Sequence, residues 1–147
     1  ACEVIGTGPE ESQIVTARGV RFSGWRDGAY VRQRMFVSTA LVVPSIWYEN
    51  FPRTIVEAFA CGLPVVASRI GALASLIAEG NTGLLFEAGN ADDLAEKLAW
   101  AARHPEEMRR MGNSARALYE REFNPAVNCR ALSSIYREAI ALGVTPQ

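Results

Sequence analysis

Residues 42–68 read Val-Val-Pro-Ser-Ile-Trp-Tyr-Glu-Asn-Phe-Pro-Arg-Thr-Ile-Val-Glu-Ala-Phe-Ala-Cys-Gly-Leu-Pro-Val-Val-Ala-Ser. An apolar strand, predicted over Ala40–Pro44, leads into a loop and then into a helical pattern over Thr54–Cys61. Gly62 ends that helix, and a second apolar strand follows over Leu63–Ser68. Two strands without polar alternation, joined by a helix, indicate a parallel sheet that is covered on both faces.

Further apolar runs and helical patterns alternate on either side of this segment. Strands are predicted over Cys2–Gly6, Val20–Phe22 and Gly83–Phe86, and helices over Glu10–Arg18, Tyr30–Ser38 and Ala74–Ala78. We therefore predict an α/β fold with a doubly wound parallel sheet and a helical C-terminal region. Such sheets bind ligands at the carboxyl ends of their strands, so the loops that follow the strands are the candidate sites.

The last third of the chain is predicted to be helical. Asn90 followed by Asp93 resembles a capping box, and His104-Pro105 and Asn124-Pro125 each resemble a helix start. The final helix is predicted to run to about Leu142, with a frayed tail over residues 145–147. We interpret residues 1–123 as one Rossmann-like domain, incomplete at its N-terminus, and residues 124–147 as its C-terminal helix.

Composition excludes several classes of protein. A net charge of -1 over 147 residues gives no general attraction to nucleic acid. The longest apolar run, Ala58–Ala67, is too short to span a bilayer. The three cysteines, Cys2, Cys61 and Cys129, stand in apolar contexts and are predicted to be buried free thiols in a reducing, cytoplasmic compartment.

The predicted helix start near residues 52–54 suits an anion. Free backbone N–H groups of Arg53, Thr54 and Ile55 and the positive end of the helix dipole favour a diphosphate. Glu57 lies about one turn further on, where a carboxylate can accept two hydrogen bonds from a ribose diol. Glu49 precedes the helix, facing whatever is attached beyond the phosphates. On the residues alone, an acid that merely complements the helix dipole is the more ordinary interpretation of Glu57.

The same stretch resembles the donor-binding motif of the retaining GT-B glycosyltransferases of family 4. In that motif Pro-Ser precedes a Glu, seven residues separate it from Glu-Ala, and Gly and Pro-Val-Val follow, as at Glu49, Glu57 and residues 62–66 here. Four further segments match the family in order: residues 4–10 (Gly-x-Gly-Pro), 20–24, 81–86 and 92–102. Several motifs in the right order are more specific than any one of them.

The resemblance implies a role for each site residue. Glu57 holds the ribose hydroxyls, and Glu49 contacts the donor sugar without being an established nucleophile. Backbone groups of residues that come after Glu49 in the chain hold the diphosphate. The loops after the first two strands border the rest of the nucleotide, with Trp25 and Arg26 at the base. These residues are Asn50, Phe51, Arg53 and Thr54 for the diphosphate, and Gly6, Gly8, Gly24, Trp25 and Arg26 for the rest of the nucleotide.

The implied substrate is a nucleotide diphosphate sugar, linked to UDP, GDP or ADP, and the reaction is sugar transfer with retention. No metal and no cofactor are implied, and Asp92-Asp93 lies where helix-cap acids belong. The implied partners are this donor and an N-terminal acceptor-binding domain of the same protein. Whether that domain contacts a membrane is left open.

Two departures from the family pattern stand out. Pro52 replaces a common glycine and removes one N–H donor. The family's Gly-Arg strand and following Lys, which neutralise the leaving diphosphate, have no match here, so the chain is expected to be part of a longer protein and to lack transferase activity alone. In the family, the missing strand is central to the sheet. Either the strand at Cys2–Gly6 pairs directly with that at Ala40–Pro44, or another chain supplies a strand between them.

Two alternatives remain at this level. Another GT-B sugar-nucleotide enzyme, such as a 2-epimerase, needs more proton-transfer groups than a single histidine, His104, provides. A degenerate domain of the same fold, retained for assembly, would bind no nucleotide.

Overall fold

The structure, a computed structural model, describes residues 1–143. The strands are β1 (Cys2–Val4), β2 (Val20–Phe22), β3 (Leu41–Val43), β4 (Val65–Ser68) and β5 (Gly83–Phe86). The α-helices are α1 (Glu11–Val15), α2 (Gly28–Val37), α3 (Arg53–Ala60), α4 (Gly71–Leu76), α5 (Ala91–Arg103), α6 (Pro105–Leu118) and α7 (Pro125–Ala141), with a π-helical turn at Tyr119–Phe123. Strands and helices alternate as predicted, and the predicted α/β class is confirmed.

The described strands form two parallel sheets. β1 pairs with β2, with Cys2 opposite Val20, and β4 lies between β3 and β5 in the second sheet. Pairing of the first strand with the one at Ala40–Pro44 is therefore not found among the strands of residues 1–143. The chain divides into two compact units, residues 1–37 and the part that begins at Ser38. Each unit is described by itself below.

The core of the second unit explains why its strands lack polar alternation. All four residues of β4 and all four of β5 are buried. Val66, Leu84 and Phe86 pack in one cluster with Met108 and Met111 of α6. A strand that is covered on both faces carries apolar side chains along most of its length, as the sequence analysis inferred, and Ser68 at the end of β4 is a buried polar exception.

Backbone segments of the second unit approach each other closely at Gly62 and Gly112. Gly62, with φ +68°, forms the turn between α3 and β4. Gly112 of α6 lies directly on the carbonyl of Gly62, and a Cβ added there would also lie 3.3 Å from Cδ of Pro64. α6 therefore supports the connection between α3 and β4 at a point where there is no room for a side chain.

The helix starts of the C-terminal third follow the predicted capping residues. The side chain of Asn90 accepts hydrogen bonds from the N–H groups of Asp92 and Asp93, at 3.1 and 3.0 Å. The carboxylate of Asp93 accepts from the N–H of Glu87, at 2.7 Å, so the reciprocal bond of a capping box to Asn90 is not made. Asn124 caps α7 through the N–H of Val127, at 3.0 Å.

The helical region also departs from the predictions. The π-helical turn was not predicted; it ends with the N–H of Asn124 donating to the carbonyl of Tyr119, at 3.0 Å, just before Pro125, which has no N–H. Residues 144–147, including the tail predicted to fray, lie outside the described residues. None of the helices within residues 1–143 is long and apolar enough to cross a membrane.

The prediction of buried cysteines is wrong. The three cysteines are not joined in a disulfide, as expected, but Cys2 and Cys129 are exposed and Cys61 is half-buried. Cys2 begins a short strand, and α7, which carries Cys129, has no buried residue among those described. An apolar sequence context indicates burial only where another element covers that face.

Candidate functional site

The loops of the second unit meet at the carboxyl edge of its sheet. Because β3 and β4 are parallel, the loop that carries Glu49 and the turn into α4 leave the sheet at the same edge. The ring of Tyr48 packs on Gly71, where an added Cβ would lie 2.7 Å from Cδ1 of the tyrosine. Gly71 has φ +47°, which favours glycine, so the two loops are joined at a position that has no side chain of its own.

Helix α3 separates a core face from a solvent face. Ile55, Ala58 and Phe59 are fully buried, whereas Arg53 and Glu57 are exposed. The buried side chains recur at the three- and four-residue spacing of one helix face. Packing of that face therefore fixes where the exposed carboxylate of Glu57 stands.

The first turn of α3 offers fewer free donors than the sequence predicts. Pro52 is fully buried at the helix start. The N–H of Arg53 donates to the carbonyl of Phe51 and that of Ile55 to the carbonyl of Pro52, both at 3.0 Å. The prediction that both groups are free is wrong, because the chain tightens into a turn here. Of the three predicted donors, Thr54 is the one whose N–H forms no hydrogen bond to a backbone carbonyl within residues 1–143.

Glu49 is half-buried in the loop before α3 and is hydrogen-bonded by a neighbour. The hydroxyl of Ser45 donates to Oε1 of Glu49. Within the described residues no contact to Oε2 is found, so that oxygen can accept a hydrogen bond from a ligand. Asn50 and Phe51 follow, and both side chains are exposed.

Glu57 forms a weak ion pair on the helix surface. Its Oε1 lies 3.6 Å from Nη2 of Arg53, and the two side chains are 50% and 83% exposed. Exposed pairs of this kind contribute about 0–1 kcal/mol, so a ligand can displace the arginine at little cost. The carboxylate of Glu57 thus has no strong competing partner within residues 1–143.

The two glycine loops of the first unit lie together. The N–H of Gly6 donates to the carbonyl of Gly24, at 2.9 Å, and their φ angles are +138° and +63°. Gly8 accepts a hydrogen bond from the N–H of Glu11, at 3.2 Å, at the start of α1. The loops that follow β1 and β2 therefore form one continuous edge in this unit.

Trp25 and Arg26 follow Gly24 on the surface of the first unit. Trp25 is 70% exposed. The guanidinium of Arg26 donates to the carbonyl of Trp25, at 3.1 Å, and lies 5.4 Å from the ring centre of Tyr30. The indole face is thus available for stacking on a planar ligand.

The carboxylate of Glu3 links several elements of the first unit. Glu3 of β1 accepts hydrogen bonds from the hydroxyls of Ser23 and Tyr30 and from Nε of Arg34. These bonds, led by that from Ser23, outweigh burial and lower the pKa of Glu3 from 4.5 to about 2. Glu3 thereby ties β1 to α2 and to the residue that precedes Gly24.

Acid is expected to loosen this unit. The folded-state pKa of Glu3 lies near 2, below the ordinary value of 4.5. The carboxylate therefore contributes stability above pH 4.5, and the contribution is lost as the pH falls from 4.5 towards 2. Amide resonances of residues 2–5 and 20–24, followed by NMR through an acid titration, measure the loss. Glu3→Gln should remove this part of the pH dependence, and an unchanged acid transition in that variant would contradict the assignment.

Several contacts of the site were not predicted from the sequence. The pair Arg53–Glu57 has the i,i+4 spacing of helical ion pairs, so its signal was present. The bond from Ser45 to Glu49 and the packing of Tyr48 on Gly71 join loop positions, for which spacing carries no comparable rule. Such contacts depend on the tertiary path of the loops.

Comparison with known proteins identifies the family. Residues 2–118 match the family described as glycosyl transferases group 1. The chain belongs to this family. The group 1 domain is 40% identical over 101 residues to the D-inositol 3-phosphate glycosyltransferase of Corynebacterium glutamicum. The aligned residues cover 69% of this chain and 24% of that protein. It thus spans about a quarter of the length of the curated relatives it matches.

Solved structures confirm the fold of this group 1 domain. A sucrose-phosphate synthase from Thermosynechococcus elongatus superposes with a TM-score of 0.85 at 27% identity, over 95% of this chain and 38% of that one. The Anabaena protein HepE, solved in complex with UDP, superposes with a TM-score of 0.79 at 24% identity, over 92% and 40% of the two chains. The resemblance found in the sequence is confirmed as far as the glycosyl transferases group 1 family and its fold.

Proposed function

We propose that the chain is the donor-binding domain of a family 4 glycosyltransferase, which transfers a sugar from a nucleotide diphosphate sugar to an acceptor with retention. The observation that carries the proposal is the pair Glu49 and Glu57. Both carboxylates stand on the strand-to-helix unit that leaves the carboxyl edge of the sheet, one half-buried with an oxygen free and one exposed. Family membership and the match to relatives named glycosyltransferases support it.

The proposed roles follow from chemistry and position. Glu57 accepts hydrogen bonds from the ribose diol after Arg53 has turned away. The start of α3, where Thr54 keeps its N–H, receives the diphosphate, because a helix N-terminus favours negative charge. Glu49 contacts hydroxyl groups of the sugar.

The domain's proposed contribution to catalysis is positioning. Holding the donor in one orientation lowers the barrier to transfer by fixing the reacting sugar, and stabilising the diphosphate favours its departure. We further propose that a second domain, which binds the acceptor, completes the enzyme. The chain's span of about a quarter of its relatives supports this division.

Isothermal calorimetry with UDP, GDP and ADP tests the proposal. The chain is expected to bind one of these nucleotides, and Glu57→Gln to weaken that binding about 10- to 100-fold, since hydrogen bonds to a charged acceptor contribute about 1.5–3 kcal/mol. Glu120→Gln is the matched control, because Glu120 of the π-helical turn forms an i,i+4 pair with Arg116 of α6 and is 49% exposed, close to the 50% of Glu57. The control should leave the affinity unchanged.

Two results would refute the proposal. If none of the three nucleotides binds to the wild-type chain, the interaction-module alternative is favoured. If a nucleotide binds and Glu57→Gln changes its affinity no more than Glu120→Gln does, the ribose site lies elsewhere.

A further inference from the structure

Ser45 occupies a fixed position at the exit of β3. Pro44 precedes it directly after the strand, and the Ser45 side chain is half-buried. A proline has a restricted φ angle, so the path of the chain into Ser45 has little freedom. Its hydroxyl donates to Oε1 of Glu49, four residues further along.

This hydrogen bond restricts a side chain that is otherwise mobile. A glutamate loses conformational entropy when it is held in one rotamer. A hydroxyl that donates to a carboxylate forms a charge-assisted bond, which is stronger than a neutral one. Because Ser45 uses Oε1, it holds the carboxylate while Oε2 has no partner within residues 1–143.

The rest of the loop is anchored independently of Ser45. Tyr48 packs on Gly71, and Pro52 is fully buried at the start of α3. Glu49 lies between these two anchors, so loss of the Ser45 hydroxyl should free the carboxylate while the loop backbone keeps its path. The effect of that hydroxyl can therefore be separated from the folding of the loop.

We propose that Ser45 is a positioning residue, which orients Glu49 so that its free oxygen accepts a hydrogen bond from a hydroxyl group of the donor sugar. This inference rests on the proposed donor site. It assigns to Ser45 a share in recognising the sugar, and no share in recognising the nucleotide. Preorganisation of this kind raises affinity by removing the cost of ordering the side chain on binding.

The test compares a nucleotide with its sugar conjugate. Calorimetry measures the affinity of UDP, GDP and ADP and of UDP-glucose, UDP-N-acetylglucosamine, GDP-mannose and ADP-glucose for each variant. Ser45→Ala is expected to weaken the conjugate that binds about tenfold while leaving its parent nucleotide within about twofold. Ser45→Thr, which keeps a hydroxyl, should restore most of the loss. Ser45→Ala should add little to Glu49→Gln, because both remove the same oriented oxygen.

Ser134→Ala is the matched control. Ser134 donates to Oε1 of Glu138 at the same four-residue spacing, but on the surface of α7, so its loss should change neither affinity. Equal weakening of nucleotide and conjugate by Ser45→Ala would show a structural role and overturn the inference, as would no weakening of either. A chain that binds UDP, GDP or ADP through Glu57 but shows no Ser45 effect refutes this inference alone. A chain that binds no nucleotide refutes the proposed function and this inference with it.

Discussion

Gly112→Ala is expected to destabilise the second unit by about 2 kcal/mol. The added methyl group would fall on the carbonyl oxygen of Gly62 and lie 3.3 Å from Cδ of Pro64. Overpacking of this kind costs about 1–3 kcal/mol, and the upper end applies because the obstacle is backbone that cannot rotate away. Alanine gains about 1 kcal/mol over glycine in a helix interior, which offsets only part of the clash. Chemical denaturation with urea measures the difference.

Asn113→Ala is the control for helix propensity. Asn113 is the next residue of α6 and is exposed, so this variant gains alanine's preference without any contact at Gly62. It should be as stable as the wild-type chain or slightly more so. If Gly112→Ala were also stabilising, the steric conflict expected between α6 and the turn after α3 would be contradicted.

The sequence predicted those elements whose signals are local. β2 and β5 were predicted to the residue, because apolar runs end at glycines or turn residues. The start of α3 next to Pro52 was predicted within one residue, since proline is tolerated there and cannot continue a helix from upstream. Apolar strands and capping residues act over a few positions, so the sequence displays them directly.

Pairing and side-chain contacts were less accessible. Whether β1 pairs with β2 or with a later strand depends on segments far apart in the chain, which no local sequence pattern records. The same holds for the exposure of Cys2 and Cys129, which depends on what covers them. At the candidate site, Glu49 and Glu57 were found from spacing and resemblance, whereas the hydroxyl that holds Glu49 appeared only in three dimensions.

Helix α3 links the stability of the second unit to its candidate site. One face packs Ile55 and Phe59 into the core, and the other carries Glu57 and the ion pair with Arg53. α3 also packs against α6, the helix that touches the turn at Gly62. Any change that loosens the buried face should therefore move the carboxylate on the exposed face.

Phe59→Ala is expected to have the largest effect of any single change considered, a loss of about 3–5 kcal/mol. Phe59 is fully buried, with 0% of its surface exposed to solvent. Truncation therefore removes a whole buried ring and leaves a cavity. A typical domain has about 5–15 kcal/mol of stability, so a large share would be lost. Urea denaturation measures the loss, and calorimetry in the absence of urea should show weaker nucleotide binding as well, because the buried face no longer fixes Glu57.

Phe36→Ala separates a core effect from the loss of any phenylalanine. Phe36 is 62% exposed, so its removal should change stability by no more than about 0.5 kcal/mol. If Phe59→Ala unfolded at the same urea concentration as Phe36→Ala, the buried face of α3 would not be the support of the site. If it were strongly destabilised yet bound nucleotide with wild-type affinity in its folded fraction, the position of Glu57 would be set by the loop before α3, and the coupling through the helix would be wrong.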